Sequence, residues 1–109
     1  METDNRLMNL LGIARRAGKL DLGGEAVKQS VRRHHARLVL LASDLSQRTA
    51  EGIHAEAEKA GVRTAEIRAN MDEVEAALGR RTGIIAVNDA GFAKTLLELG
   101  AEERGGTIQ

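Results

Sequence analysis

Residues 38–42 read Leu38-Val-Leu-Leu-Ala42, the longest unbroken apolar run in a chain of 109 residues. A strand with one wet face alternates apolar and polar positions. This run does not alternate, so it reads as a central strand covered on both faces. The run Ile84-Ile-Ala-Val87 has the same character. Weaker strand candidates flank them at Lys19 to Leu22 and Val62 to Ile67. The stretches between carry helical spacing. Arg6 to Ala17 places Leu7, Leu10, Leu11 and Ala14 on one face, and Glu25 to about Arg33 carries Val27 and Val31 four residues apart. Ser46 to Ala60 shows Ala50, Ile53, Ala57 and Ala60, a small-residue stripe suited to lying close against a sheet. Met71 to Leu78 is preceded by Asn70 and has Glu73 at the capping-box position. Gly91 to Leu99 carries Phe92, Leu96 and Leu99. Gly18, Gly61, Gly79 and Gly100 each follow one of these stretches, where a left-handed residue ends a helix at low cost. Strands alternating with helices predict an α/β fold: a three-layer α/β/α sandwich with a mixed sheet of about four strands and five helices. The expected organisation is one domain over residues 1–100 and a polar tail over 101–109, with no internal repeat.

Composition narrows the function. Without cysteine there are no disulfides, thiolate metal sites or cysteine nucleophiles. Without tryptophan or tyrosine, and with one phenylalanine, the aromatic stacking platform of many single-strand RNA binders is missing. A five-residue apolar run is too short to span a membrane, and the polar start METDNR is unlike a secretory signal, so a cytoplasmic protein is expected.

The net charge is zero, yet the charge is uneven. Arg15, Arg16, Lys19, Lys28, Arg32, Arg33 and Arg37 face only Asp21 and Glu25 in their segment, a net of +5 that the rest of the chain offsets with −5. Such asymmetry fits an anionic partner on one side, and it also fits a solvated helix face.

Catalytic signatures are scarce in the sequence. Ser43-Asp44 and Asn88-Asp89 follow the two strong strands, where α/β sheets often hold ligands, but no general base or nucleophile elbow accompanies them. Helix capping by Ser43, Asp44 or Ser46, and capping of the fifth helix by Asp89, is the expected role of those residues. His34 and His35 are adjacent, so on a helix they point about 100° apart, which suits helix-end carbonyls better than a shared metal. No metal and no cofactor is expected.

The segment Lys19-Leu-Asp-Leu-Gly-Gly-Glu-Ala-Val-Lys28 says more. A short strand stops at Gly23-Gly24 and a helix begins at once. Two glycines let another backbone approach, and the free N–H groups of the new helix suit phosphate oxygens. Lys28, Arg32 and Arg33 lie on the helix behind, which favours an RNA backbone site over a plain structural turn.

With these motifs in place, the chain resembles the ribosomal protein L-seven-Ae / L-thirty-e family of kink-turn RNA binders, and within it the small bacterial YlxQ-like branch. The likeness runs from about Asn5 to Leu99. It rests on LLGIARRAGKL leading into the Gly-Gly turn, on ARLVLLASDLSQRT and on GIIAVNDAGFAKTL. The resemblance implies a pattern Gly-x-Asn-Glu-x-x-Lys, with Arg four residues on, that reads the tandem G·A pairs of a kink. Here Gly23 and Arg33 match; Glu25, Ala26 and Gln29 stand in place of the Asn, Glu and Lys. It also implies two further contact loops: Asp44-Leu45-Ser46, and Gly79-Arg80-Arg81-Thr82, which in relatives frames a flipped-out nucleotide. The expected RNA-binding set is Gly23, Gly24, Glu25, Lys28, Gln29, Arg32, Arg33, Ser46, Arg80, Arg81 and Thr82. The implied function is a monomeric, non-catalytic RNA-binding protein for kinked or bulged structured RNA, ribosomal RNA included, in ribosome- or translation-associated work. The alternative is a protein-interaction module that has kept the scaffold and lost the RNA-reading residues.

Overall fold

The computed structural model describes residues 6–103. The polar start at 1–5 and the 104–109 part of the expected tail lie outside the described residues. The helices are α1 (Arg6–Arg16), α2 (Gly24–Arg32), α3 (Gln47–Lys59), α4 (Met71–Leu78) and α5 (Ala90–Glu103). The strands are β1 (Leu20–Leu22), β2 (Leu38–Leu41), β3 (Thr64–Glu66) and β4 (Ile84–Val87). The sheet order is β1-β4-β2-β3. β4 runs antiparallel to both neighbours, and β2 pairs with β3 in parallel, so the sheet is mixed.

The two unbroken apolar runs became the two central strands, buried at every position. Alternate residues serve opposite faces. Leu38, Leu40, Ile85 and Val87 pack with Leu7 and Leu11 of α1, Val74 and Leu78 of α4, and Leu96 of α5. Val39, Leu41, Ile84 and Ala86 pack with Val27 and Val31 of α2 and Ile53 of α3. This is the expected three-layer sandwich. The edge strands are shorter than their sequence segments, at Leu20–Leu22 and Thr64–Glu66.

Helix ends follow local chemistry. Asn70 and Glu73 form the capping box of α4, the Ser46 hydroxyl accepts from the Thr49 N–H at the start of α3, and the Asp89 carboxylate accepts from the Phe92 N–H in α5. Gly18, Gly61 and Gly79 are left-handed terminators as expected. Gly100 is not: α5 continues through it to Glu103, and Gly100 is buried. Tertiary links override the local stop signal. Arg6 pairs with Glu102 at 2.7 Å, and the Arg68 guanidinium donates to the Glu103 carbonyl at 2.9 Å. The apolar stripe of α5 shifts accordingly, with Ala93 and Leu96 buried and Phe92 and Leu99 only half-buried. α2 ends without glycine. His34 takes φ 62°, the His35 N–H reaches the Ser30 carbonyl and the His34 N–H reaches Val31, the two bonds of a Schellman motif.

Candidate nucleic-acid interface

The topology gathers three loops at one end of the sheet, where β1, β2 and β3 finish and β4 begins. Backbone bonds tie them together. The Gly23 N–H donates to the Ile84 carbonyl, the Ala42 N–H to Gly83 and the Ser43 N–H to Ala69, each at 2.9 Å. Gly23 is required by its backbone, and the flexible end of Arg80 lies close over it. Its backbone sits at φ 98°, ψ 155°, a region essentially closed to other residues, and a Cβ there would lie 2.7 Å from Nη2 of Arg80. Gly83 closes the other side, because a Cβ there would meet Cδ1 of Leu45 at 2.9 Å. The Gly23 turn, the 43–46 loop and the 79–83 loop therefore form one packed surface. A cleft of about 390 Å³ beside it, lined by Leu41, Leu45, Ala50 and Thr64 among others, gives the 43–46 loop a concave flank.

Within that surface each side chain has a distinct position. Arg80 is exposed and lies against Gly23. Arg81 is exposed and pairs with Asp72 at 3.2 Å, with a second nitrogen 3.5 Å from the Met71 sulfur. Thr82 is buried, and its hydroxyl is held by the Ile84 N–H at 3.2 Å and the Ile84 carbonyl at 3.3 Å; it shapes the loop from inside. The Asp44 carboxylate accepts from the Met71 N–H at 3.0 Å, fastening the 43–46 loop to the start of α4. Arg15 donates to the Leu78 carbonyl just before Gly79.

α2 begins in this surface and leaves it. No side chain caps its N-terminus, so first-turn N–H groups remain open to an anion beside Arg80. Glu25, Ala26 and Gln29 are exposed and Lys28 is half-buried. Arg32 turns to α3 and makes two hydrogen bonds to Glu56, at 3.1 and 3.4 Å. The bond from Arg32, with lesser help from the charges of Lys59 and Lys28, holds the Glu56 carboxyl below the ordinary range despite desolvation; the same bond raises Arg32. Arg33 sits at the far end of α2, about 13 Å along the axis from Gly24.

The structure thus brings together Gly23, Gly24, Glu25, Ser46, Arg80, Arg81 and Thr82. Lys28 and Gln29 lie one turn behind, Arg32 is engaged with α3, and Arg33 is at the opposite pole. Sequence reasoning missed Gly83, Arg15 and the bond between Asp44 and Met71. The only local signal was a glycine directly before the Ile84 strand; the other contacts join residues 27 and 63 positions apart.

Residues 5–97 match the model of the ribosomal protein L7Ae/L30e/S12e/Gadd45 family. The chain is 32% identical over 94 residues to the RNA-binding protein YlxQ of Enterococcus faecium, covering 86% of this chain and 90% of that protein. It is 36% identical over 95 residues to the RNA-binding protein YlxQ of Bacillus subtilis, covering 83% and 90%. Among solved structures, a Bacillus halodurans protein of unknown function superposes with a TM-score of 0.82 at 29% identity, covering 88% of this chain and 97% of that one. The Giardia lamblia 15.5kD RNA binding protein superposes with a TM-score of 0.68 at 18% identity, covering 91% and 85%, a likeness of fold.

Proposed function

The chain belongs to the ribosomal protein L7Ae/L30e/S12e/Gadd45 family, and from that premise we propose that it is a non-catalytic RNA-binding protein whose partner is structured RNA with a kinked or bulged element. The observation that carries the reading is the uncapped start of α2 at Gly23, with Arg80 packed over the turn and the loops at 43–46 and 79–83 tied to it. Phosphate oxygens accept from the first-turn N–H groups of α2, and Arg80 supplies charge beside them. Arg81 exchanges Asp72 for phosphate, and Lys28 adds a second cation one turn along. Ser46 and Thr82 hold the flanking loops in shape. Two relatives named as RNA-binding proteins support the partner class.

Recognition is backbone-led. Glu25 accepts hydrogen bonds but donates none, and it repels phosphate, whereas the family's asparagine amide does both. Ala26 has no polar group, and Gln29 has no charge. The RNA is then chosen by shape, through how well a bent backbone fits between the three loops. The protein acts as a monomer without a cofactor, on ribosomal or other translation-associated RNA.

The test is fluorescence anisotropy with a kink-turn RNA and with a control whose G·A pairs are changed to Watson–Crick pairs, over a salt series. The reading predicts micromolar, salt-dependent binding that Arg80→Ala and Lys28→Ala weaken, each lowering the salt slope by about one unit. No salt-dependent binding to any structured RNA would overturn it in favour of a protein-interaction module.

A further inference from the structure

The opposite end of the sheet carries a second charged surface that the loops around Gly23 do not touch. Because β1, β2 and β3 run in one direction and β4 in the other, this end holds the residues that precede three strands and follow the fourth. The register fixes who stands there. The Asn88 N–H donates to the Lys19 carbonyl, the Arg37 N–H to Val87 and the Val39 N–H to Arg63. Across the sheet the order is Lys19, Asn88, Arg37, Arg63. At about 4.8 Å per strand step this row of three cations is about 14 Å wide. Arg33, His34 and His35 flank it, since α2 ends there in its Schellman motif.

All six of these basic side chains are exposed, and among the described residues none makes a side-chain hydrogen bond or ion pair. Elsewhere Arg6, Arg32 and Arg81 pair with carboxylates, and Arg15 and Arg68 cap backbone carbonyls, while Arg16, Arg48, Arg80 and Lys94 are exposed and, among the described residues, also without a side-chain partner. Three acids lie close by: Glu58 lines a shallow pocket with Arg63, and Asp21 and Asp89 are held by neutral donors. Asp21 accepts from Asn88 at 2.9 Å and Asp89 caps α5. In a chain of zero net charge, a surface of free cations at one pole is a local concentration of positive potential.

We propose that this pole, built on Lys19, Arg37 and Arg63 with Arg33 at its rim, binds the phosphate backbone of a second RNA segment, so that the protein bridges two parts of a folded RNA. Only the choice of RNA as the anion rests on the function proposed above; the surface itself does not. A protein partner would need an apolar or aromatic anchor, and this pole presents none: the one large apolar side chain exposed among the described residues is Ile13, on α1. A row of cations spread over about 14 Å suits successive phosphates, and phosphate contacts carry no sequence information directly. The two poles bind different features, one a bent shape and the other a charged backbone.

The experiment uses the full chain and three probes: a short kink-turn hairpin, a plain RNA duplex, and a polyglutamate peptide of the duplex's charge. The variant is Lys19→Gln/Arg37→Gln/Arg63→Gln, compared with Arg80→Ala/Arg81→Ala, and thermal melts establish that both are folded. The triple variant is expected to lose tenfold or more of its duplex affinity at low salt, its salt slope falling by about 2–3 units, and to keep kink-turn affinity within about twofold. The double variant is expected to do the reverse. Wild-type protein should also bring a labelled hairpin and a labelled duplex into energy-transfer range, and the triple variant should not. Should the triple variant misfold, Arg63→Gln alone, at the sheet edge, is expected to lower the slope by about one unit. Unchanged duplex binding by the triple variant, no duplex binding by the wild type, or equal binding of polyglutamate overturns this inference, whatever the hairpin does. Loss of the hairpin interaction with the duplex interaction intact and sensitive to the triple variant supports this pole and overturns the function assigned to the other.

Discussion

The two ends of one sheet are made differently. At the Gly23 end, chain segments cross at hydrogen-bond distance, two glycines allow contacts that a Cβ would block, and Arg81 is already paired with Asp72. At the Lys19 end, among the described residues, the cations have no side-chain partner and nothing encloses them. The first end has a shape with, among the described residues, Arg80 and Lys28 as its unpaired cations; the second has a row of cations and little shape. The same antiparallel β4 produces both, because it delivers its N-terminal loop to one pole and its C-terminal end to the other. Charge counted along the sequence conceals this, since the segment of net +5 runs past both ends and contributes Lys19, Arg33 and Arg37 to the far pole.

Breaking the layer common to both ends should have the largest effect. Leu40 is a buried side chain of central β2, and Leu40→Ala is expected to cost roughly 2–5 kcal/mol in chemical denaturation. RNA binding at both poles should fall together, in proportion to the unfolded fraction. Gly23→Ala should separate them. It forces a Cβ into a closed backbone region and against Arg80, at about 1–3 kcal/mol, and should abolish shape-dependent kink-turn binding while duplex binding at the far pole persists. Glu25→Asn/Ala26→Glu/Gln29→Lys sharpens the contrast in the other direction. It should tighten kink-turn binding at least about tenfold, at 1–3 kcal/mol per good base contact, with little gain on the Watson–Crick control beyond the added charge. Equal gains on both RNAs would show that this surface does not read the kink.

The smallest effect concerns the bridge between α2 and α3. Arg32 holds the Glu56 carboxyl below its ordinary range, so the pair stabilises the fold above the unfolded carboxylate pKa. That contribution is lost as the pH falls through the lower, folded pKa. Both groups are open to solvent, so the change is small. The Tm difference between wild type and Glu56→Gln should therefore be slight at neutral pH and vanish in acid.

Much of the fold was legible in the chain. Strands buried on both faces require unbroken apolar runs, and Leu38-Val-Leu-Leu and Ile84-Ile-Ala-Val have no other economical reading. The α4 capping box and the turns at Gly18, Gly61 and Gly79 are local chemistry, so local sequence reveals them. What failed was decided at a distance. α5 passes Gly100 because Arg6 and Arg68 hold its last turn. α2 stops at His34, where no glycine announces it and a histidine takes the left-handed backbone. The site was half legible. The Gly23 turn stands out in sequence, but Arg32 reads as a free phosphate ligand until the fold sets Glu56 beside it, 24 positions away. Arg33 reads as part of the same cluster until the length of α2 carries it to the other pole.

The most direct test of the central assignment is a backbone amide NMR titration of the protein with a kink-turn RNA at moderate salt. The account predicts the earliest and largest shift changes at Gly23 to Lys28, Ser43 to Ser46 and Arg80 to Gly83. Changes confined to other surfaces, with the Gly23, Ser46 and Arg80 amides unmoved at saturation, would contradict it.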